Sequence, residues 1–288
     1  MNSIENLILE SHKRGSVYKA ALHYEMKESG LEESVLIEKM ARQLEVMKQT
    51  VILGNQGVES HTKLTGGDAK KLDDYIKSGK GICDDTMLKA VRNAISTNEV
   101  NAAMGMVCAT PTAGSAGVIP GVLMSLTERY DLSHEKQIEF LFVAALFGLV
   151  IANNASISGA MGGCQAEIGS ASAMASAAAV YIMGGTPEMC AHAMAITIKN
   201  MLGLICDPVA GLVEVPCVKR NALGATQALV SCDMALAGIE SRITPDDVIS
   251  AMDAVGKVMP GIFKETAQGG LAVTPSAIKI EKEIFGDL

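Results

Sequence analysis

The residues most able to do chemistry in this 288-residue chain are three of its seven cysteines. Cys164, Cys206 and Cys217 stand in "AMGGCQAEIG", "LICDPVAG" and "EVPCVKRN", 42 and 11 positions apart. Each lies in or beside backbone rich in Gly or Pro, which can bend a thiol toward a shared point and offer amide hydrogens to a bound thiolate. Three soft thiolates point to iron–sulfur or zinc. A structural zinc finger shows close pairs such as C-x-x-C, which are absent here, and a closed electron-transfer cluster takes four cysteines. Three thiolates leave a metal position open, as in metal sites that bind substrate. Spacing alone does not decide the matter, because cysteines this far apart meet by chance in many folds. Cys83, Cys108, Cys190 and Cys232 lie in helix-like apolar surroundings and read as small buried hydrophobes.

Polar residues beside the trio are candidates for orienting a substrate. They are Thr112 and Ser115 in "PTAGSAG", Asn153, Asn154, Ser156 and Ser158 before Cys164, and Lys219, Arg220 and Asn221 after Cys217. The hydroxyl and amide residues can equally cap helices or bond to turns. Arg220 has the planar fork that suits a carboxylate, or an ion pair with Glu214 or Asp207. Glu167, three residues after Cys164, can be a base or a structural partner. His12, His23 and His134 lie on charged stretches, His192 begins a core helix, and His61 sits in the turn "ESHTKLTGG"; no residue is assigned as the base. Lys63 and Lys199 have no phosphate-cradling loop beside them, so nothing supports pyridoxal phosphate.

The elements that must position these groups read as helices. Nearly half the residues are hydrophobic, mostly Ala, Val, Leu, Ile and Met, with few aromatics and no tryptophan. That suits closely approaching helices better than a β-sandwich. The stretch 31–52 places Val35, Met40, Leu44, Met47 and Val51 on one helical stripe. Asp68 is the expected cap of a helix after the Gly66-Gly67 turn, and Thr186-Pro187, Thr244-Pro245 and Thr274-Pro275 read as helix starts. The segment 152–185 is unusually rich in Gly, Ala and Ser, which allows close helix packing or a ligand near the backbone. The expected fold is all-α: one helical domain over 1–288, with a more polar N-terminal lobe (1–82) on a small-residue-rich core (83–288).

A net charge of −8 argues against nucleic acid or an anionic membrane surface as partner. The start, "MNSIENLILESHKRG", has no signal-peptide pattern. "FLFVAALFGLVIA" (140–152), shorter than the roughly 20 residues of a membrane span, reads as a buried core helix. An odd number of cysteines without close pairing fits a reduced, cytoplasmic compartment rather than a secreted disulfide framework.

Five longer phrases carry a resemblance: "LTGGDA" (64–69), "NEVNAAMGMVCATPTAGSAGVIPG" (98–121), "ANNASISGAMGGCQAEIGSASAMA" (152–175), "HAMAITIKNMLGLICDPVAGLVEVPCVKRNALGA" (192–225) and "ETAQGGLAVTP" (265–275). With them the chain resembles the alpha subunit of iron–sulfur-dependent L-serine dehydratases (L-serine ammonia-lyases) over nearly its whole length. The resemblance implies an all-helical fold, a catalytic 4Fe–4S cluster held by Cys164, Cys206 and Cys217, L-serine as substrate and a separate beta subunit or domain. In fused single-chain members a cysteine near the C-terminus caps the fourth iron. This chain ends "IEKEIFGDL" without one, so the two-subunit type is expected. Other readings left standing are a non-catalytic iron–sulfur or zinc-binding sensor or scaffold, and a related lyase acting on L-threonine or L-cysteine.

Overall fold

The computed structural model describes residues 1–286, so the last two residues of the expected domain and of "IEKEIFGDL" lie outside it. Thirteen α-helices and three short 3-10 turns make up its regular structure, with no strand among the described residues beyond two isolated bridges. The all-α expectation holds.

The N-terminal part contains α1 (Ile4–Arg14), α2 (Val17–Ser29), α3 (Glu33–Gln56) and α4 (Asp68–Lys77). Ser3 and Ser16 cap the first two, each accepting a hydrogen bond from the amide three residues on. On α3 the buried face is Leu36, Leu44, Met47 and Val51, with Met40 half-buried against the core. Val35, expected on that face, is exposed instead, because Leu36 holds the inward position at that turn. Asp68 is not a cap. Gly67 occupies the cap position of α4, and the buried Glu99 carboxylate accepts from the Asp68 and Ala69 amides at 2.7 and 3.3 Å. The carboxylate is brought from another helix to the amide-rich end of α4, where negative charge is favoured.

The remaining helices are α5 (Asp85–Ala102), α6 (Val118–Tyr130), α7 (His134–Asn154), the single turn α8 (Gly159–Gly162), α9 (Cys164–Ile182), α10 (Pro187–Met201), α11 (Cys217–Leu236), α12 (Pro245–Val258) and α13 (Pro275–Phe285). The three Thr-Pro pairs open α10, α12 and α13, each threonine hydroxyl accepting from the amide three residues later at 3.3 Å. By length and composition α7 is the one described helix able to cross a membrane; here most of it is buried, with Phe140 and Phe147 fully enclosed.

Helix α9 is the axis of the molecule, packed against α6, α7, α10 and α11. Residues 164–180 are all buried. Small side chains let those neighbours close in, and two of the three serines within α9 bond to backbone: Ser172 Oγ donates to the Gly224 carbonyl at 2.5 Å and Ser176 Oγ to that of Ala173 at 2.9 Å. The Gly/Ala/Ser-rich segment thus does two things. Most of α9 is packing surface, and its first turn delivers chemical groups.

Candidate functional site

Two of the three cysteines begin a helix. Cys164 is the first residue of α9 and Cys217 the first of α11. A helix N-terminus favours negative charge, so both positions suit a thiolate ligand. Gly163, at φ 74°, makes the turn into α9; a side chain there would be strained and would collide with Met259. Gln165 then ties the turn down, its Oε1 accepting from the Gly203 amide at 3.0 Å and its Nε2 donating to the Met252 carbonyl at 3.0 Å. Cys206 sits in extended chain. Its amide donates to the Phe263 carbonyl at 2.8 Å, and its own carbonyl accepts from the Glu265 amide at 2.9 Å.

Two of the trio, Cys164 and Cys206, come together with Glu167. All three thiols are buried and unpaired as disulfides. Cys164, Glu167 and Cys206 have their ligand atoms within 4.8 Å of one another, the one such group among the described residues. The hydrogen bond from the Cys206 thiol holds Cys164 below the usual thiol range despite burial, aided by the charge of Arg220, and the same bond pushes Cys206 upward. Cys217 is not a member of that group; burial first, and then the Cys164 charge, push its thiol up to about 12.

Arg220 leans on the thiols but is engaged with the protein. Its Nη1 donates to the Ile205 carbonyl at 2.9 Å and toward Cys164 Sγ at 3.6 Å, and pairs with Asp207 Oδ1 at 2.8 Å. That last contact is an ion pair without hydrogen-bond alignment. Buried Asp207 also accepts from the Leu271 amide at 2.7 Å, and Gly270 (φ 61°) leaves space for it, since a Cβ there would lie 2.4 Å from Asp207 Oδ2. Of the two roles open to Arg220 in the sequence, the structure shows the ion pair.

Glu167 is the buried acid of the site. Thr112 Oγ1 donates a very short hydrogen bond to its Oε1, and Ser115 Oγ lies 3.1 Å from Thr112 Oγ1 while bonding to the Thr110 carbonyl at 3.2 Å. Burial raises the Glu167 carboxyl above the ordinary range against the Thr112 hydrogen bond, with the nearby Glu265 charge adding to the rise. Gly114 and Gly159 flank it. A Cβ on Gly114 would sit 2.6 Å from Glu167 Oε1, and one on Gly159 would meet Cys206 Sγ at 3.0 Å, Glu265 Oε2 at 3.2 Å and Glu167 Oε2 at 3.4 Å. The bare Cα of Gly159 thus lets a thiol and two carboxylates converge where a methyl would crowd all three.

Other sequence candidates land elsewhere. Asn154 Nδ2 bonds to the carbonyls of Asn2 and Val150, and Asn153 to that of Met1, so these amides close the end of α7 against the N-terminus. Lys219 is largely exposed and points away from the thiols, making a very short ion pair with Asp68. Asn221 is fully buried with its amide committed to backbone: it accepts from Gly117 at 3.0 Å and donates to the carbonyls of Gly114 and Cys217 at 2.7 and 2.9 Å. It is a scaffold for the glycine loop. Ser158 caps the turn α8 next to Gly159, with Ser156 Oγ accepting from its amide at 3.3 Å. His61 is exposed in its turn and Lys199 bonds to Ser241.

Two features escaped the sequence. Glu265 lies in irregular chain 59 positions beyond Cys206 and carries no spacing signal. Glu214, considered only as a partner for Arg220, instead has one carboxylate oxygen bonded by Thr62 at 2.7 Å and the other by Thr65 at 2.9 Å, which fastens the "SHTKLTGG" turn to the chain entering Cys217.

A family model described as serine dehydratase alpha chain matches residues 12–272. The chain belongs to that family. It is similar to the probable L-serine dehydratase, alpha chain, of Bacillus subtilis (strain 168), 61% identical over 251 residues that make up 87% of this chain and 84% of that one. The L-serine dehydratase, alpha chain, of Peptoniphilus asaccharolyticus is 42% identical over 287 residues, 99% of this chain and 98% of that one. L-serine dehydratase TdcG of Escherichia coli (strain K12) is 42% identical over 182 residues, 62% of this chain but 40% of the longer relative.

Proposed function

We propose that this chain is the catalytic alpha subunit of an L-serine dehydratase, converting L-serine to pyruvate and ammonia with a 4Fe–4S cluster on Cys164, Cys206 and Cys217 and a beta chain as partner. The observation that carries the reading is the meeting of two buried thiols, Cys164 and Cys206, with a buried carboxylic acid, and a third buried thiol, Cys217, that feels the Cys164 charge, in a chain whose relatives are named for serine dehydration. The word "alpha" in those names supports the partner. The donor set fits the cofactor: soft thiolates, two at helix N-termini, a guanidinium near one sulfur, and a glycine, Gly159, whose missing side chain lets Cys206 lie close to the backbone. When bound, the cluster supplies a Lewis-acidic iron, free of protein thiolate, that neutralises charge as the substrate hydroxyl departs.

The chain's own residues account for the rest. Serine loses its Cα proton and its hydroxyl, together one water, to give 2-aminoacrylate; tautomerisation to the imine and addition of one water yield pyruvate and ammonia. We assign the Cα proton to Glu167. A carboxyl raised by burial is a stronger base than a solvated one, and Thr112 fixes its orientation while the 110–117 loop is held by Asn98 and Asn221 at the Gly114 carbonyl. Asp207 and Ile205 hold Arg220 against the Cys164 sulfur, where its charge offsets that of the thiolates. The burial of the thiols and Glu167 keeps bulk water from competing for the site.

A second reading is favoured by one observation: two sulfurs and a carboxylate oxygen within 4.8 Å also suit a single divalent ion such as zinc in a non-catalytic scaffold. The two separate on anaerobic co-purification with the beta chain. A brown protein that forms pyruvate from L-serine, and loses both colour and turnover on Cys206→Ser, is the expected result. A colourless protein holding stoichiometric zinc and inert toward serine would establish the scaffold. Assaying L-threonine and L-cysteine alongside tests the substrate, since one methyl or one sulfur changes pocket contacts little.

A further inference from the structure

The segment carrying Glu265 is strapped across the thiols. Its main chain pairs with Cys206 on both sides, Cys206 N donating to the Phe263 carbonyl and Glu265 N to the Cys206 carbonyl. Farther along, the Leu271 amide is anchored on Asp207. Glu265 itself adopts φ 61°, a left-handed conformation that a non-glycine residue takes at a cost, and the surrounding hydrogen bonds hold it there. The result is that Glu265 Oε2, Glu167 Oε2 and Cys206 Sγ all lie within 3.4 Å of one point, the place a methyl on Gly159 would occupy.

That point gathers acceptor oxygens, and the two cations flanking Cys217 are not aimed at it. Arg220 is committed to Asp207, the Ile205 carbonyl and the Cys164 sulfur, and Lys219 is turned outward to Asp68. Two carboxylates that converge on one place make a good receptor for a cation. A zwitterionic amino acid brings one in its α-ammonium, which has three donors for such acceptors.

Resting on the serine reading above, we propose that Glu265, with Glu167 beside it, forms the subsite for the substrate's α-ammonium and so selects amino acids over hydroxy acids of the same shape. Glu265 is exposed at the lip and Glu167 is buried behind it. An ammonium held between them leaves the substrate's hydroxyl free to face the thiol side. Glu265 is thus a binding residue, and Glu167 keeps its proton-handling role.

The test uses the complete enzyme, alpha with beta chain, prepared anaerobically. Kinetics are measured with L-serine, and binding of 3-hydroxypropanoate, the analogue lacking the ammonium, is followed both as competitive inhibition and by equilibrium dialysis. For Glu265→Gln, loss of the charge partner should raise the KM for L-serine by about 10-fold or more while kcat changes by less than about 3-fold, and 3-hydroxypropanoate should bind as well as before or better. Glu265→Asp, which keeps the charge, should fall between. If Glu265→Gln does not retain its iron, the aspartate variant carries the same comparison: weaker serine, unchanged hydroxy acid. An unchanged KM for serine, or parallel weakening of both ligands, overturns the subsite. A wild-type enzyme that makes no pyruvate from serine overturns instead the functional reading on which it rests.

Discussion

Cys164, Cys206 and Cys217 reach one neighbourhood by different routes, two at helix starts and one in extended chain pinned by its own amide and carbonyl. Their substitution should therefore act on the cofactor and not on the fold. Serine in place of any one is expected to lower iron content and abolish pyruvate formation while leaving the far-ultraviolet circular dichroism unchanged; an iron-replete, active Cys217→Ser protein would remove that residue from the ligand set. Arg220→Gln removes the cation against the Cys164 sulfur, and second-sphere losses of this kind typically cost about 10-fold to 100-fold in metal affinity. Faster iron release to a chelator is the expected readout, and release at the wild-type rate would mean the guanidinium serves only its ion pair. Glu167→Gln should lower kcat by about 100-fold or more with iron retained, the range for a lost proton acceptor. The pairing of Cys164 with Cys206 was partly legible in sequence because Gly and Pro mark chain that bends. Glu265 was not, since irregular chain carries no periodicity to place it. Asn154 and Lys219 misled because proximity in sequence to a ligand says nothing of the helix face on which a side chain leaves.

Helix starts explain much of how the elements are placed. The Thr-Pro pairs were readable because cap and first helical residue are adjacent in sequence. The cap of α4 was not, because Glu99 comes from α5, about thirty residues on. Glu99→Ala should destabilise the protein by about 1–2 kcal/mol in chemical denaturation, the cost of losing a cap in a buried setting. A variant within error of wild type would contradict the capping role. Glu99 also sets a pH dependence. Burial raises its carboxyl from the ordinary 4.5, so between that value and the raised one the folded protein binds more protons than the unfolded chain. Stability should accordingly fall as pH rises through that window. The slope should lessen in Glu99→Gln, the remainder coming in part from Glu167, whose carboxyl burial also raises; an unchanged slope would contradict the assignment to Glu99.

At the scale of the whole molecule, the main hydrophobic core and the thiol site are separate. One contiguous cluster runs from Ile4 on α1 to Met252 on α12, whereas Cys164 and Cys206 pack in a small cluster with Ile168, Met201 and Leu204. An all-helical body was legible from composition because Ala, Leu and Met with few aromatics favour close helix contacts. The order in which helices surround α9 was not, because a segment buried all round has no amphipathic stripe to show its partners. The separation implies that the proposed cluster is dispensable for folding. Anaerobic chelation should bleach the protein and end turnover while its helix content stays, with the melting temperature dropping only by the binding linkage. Collapse of the helical signal on chelation would mean the cluster organises the core.

The most direct measurement is Mössbauer spectroscopy of the anaerobically assembled alpha–beta protein before and after L-serine is added. The expected spectrum is that of a 4Fe–4S cluster in which a single iron site changes on adding serine and the sites held by Cys164, Cys206 and Cys217 do not. A spectrum indifferent to serine while pyruvate still accumulates, or turnover by a protein without iron, would contradict an open iron among these three thiols.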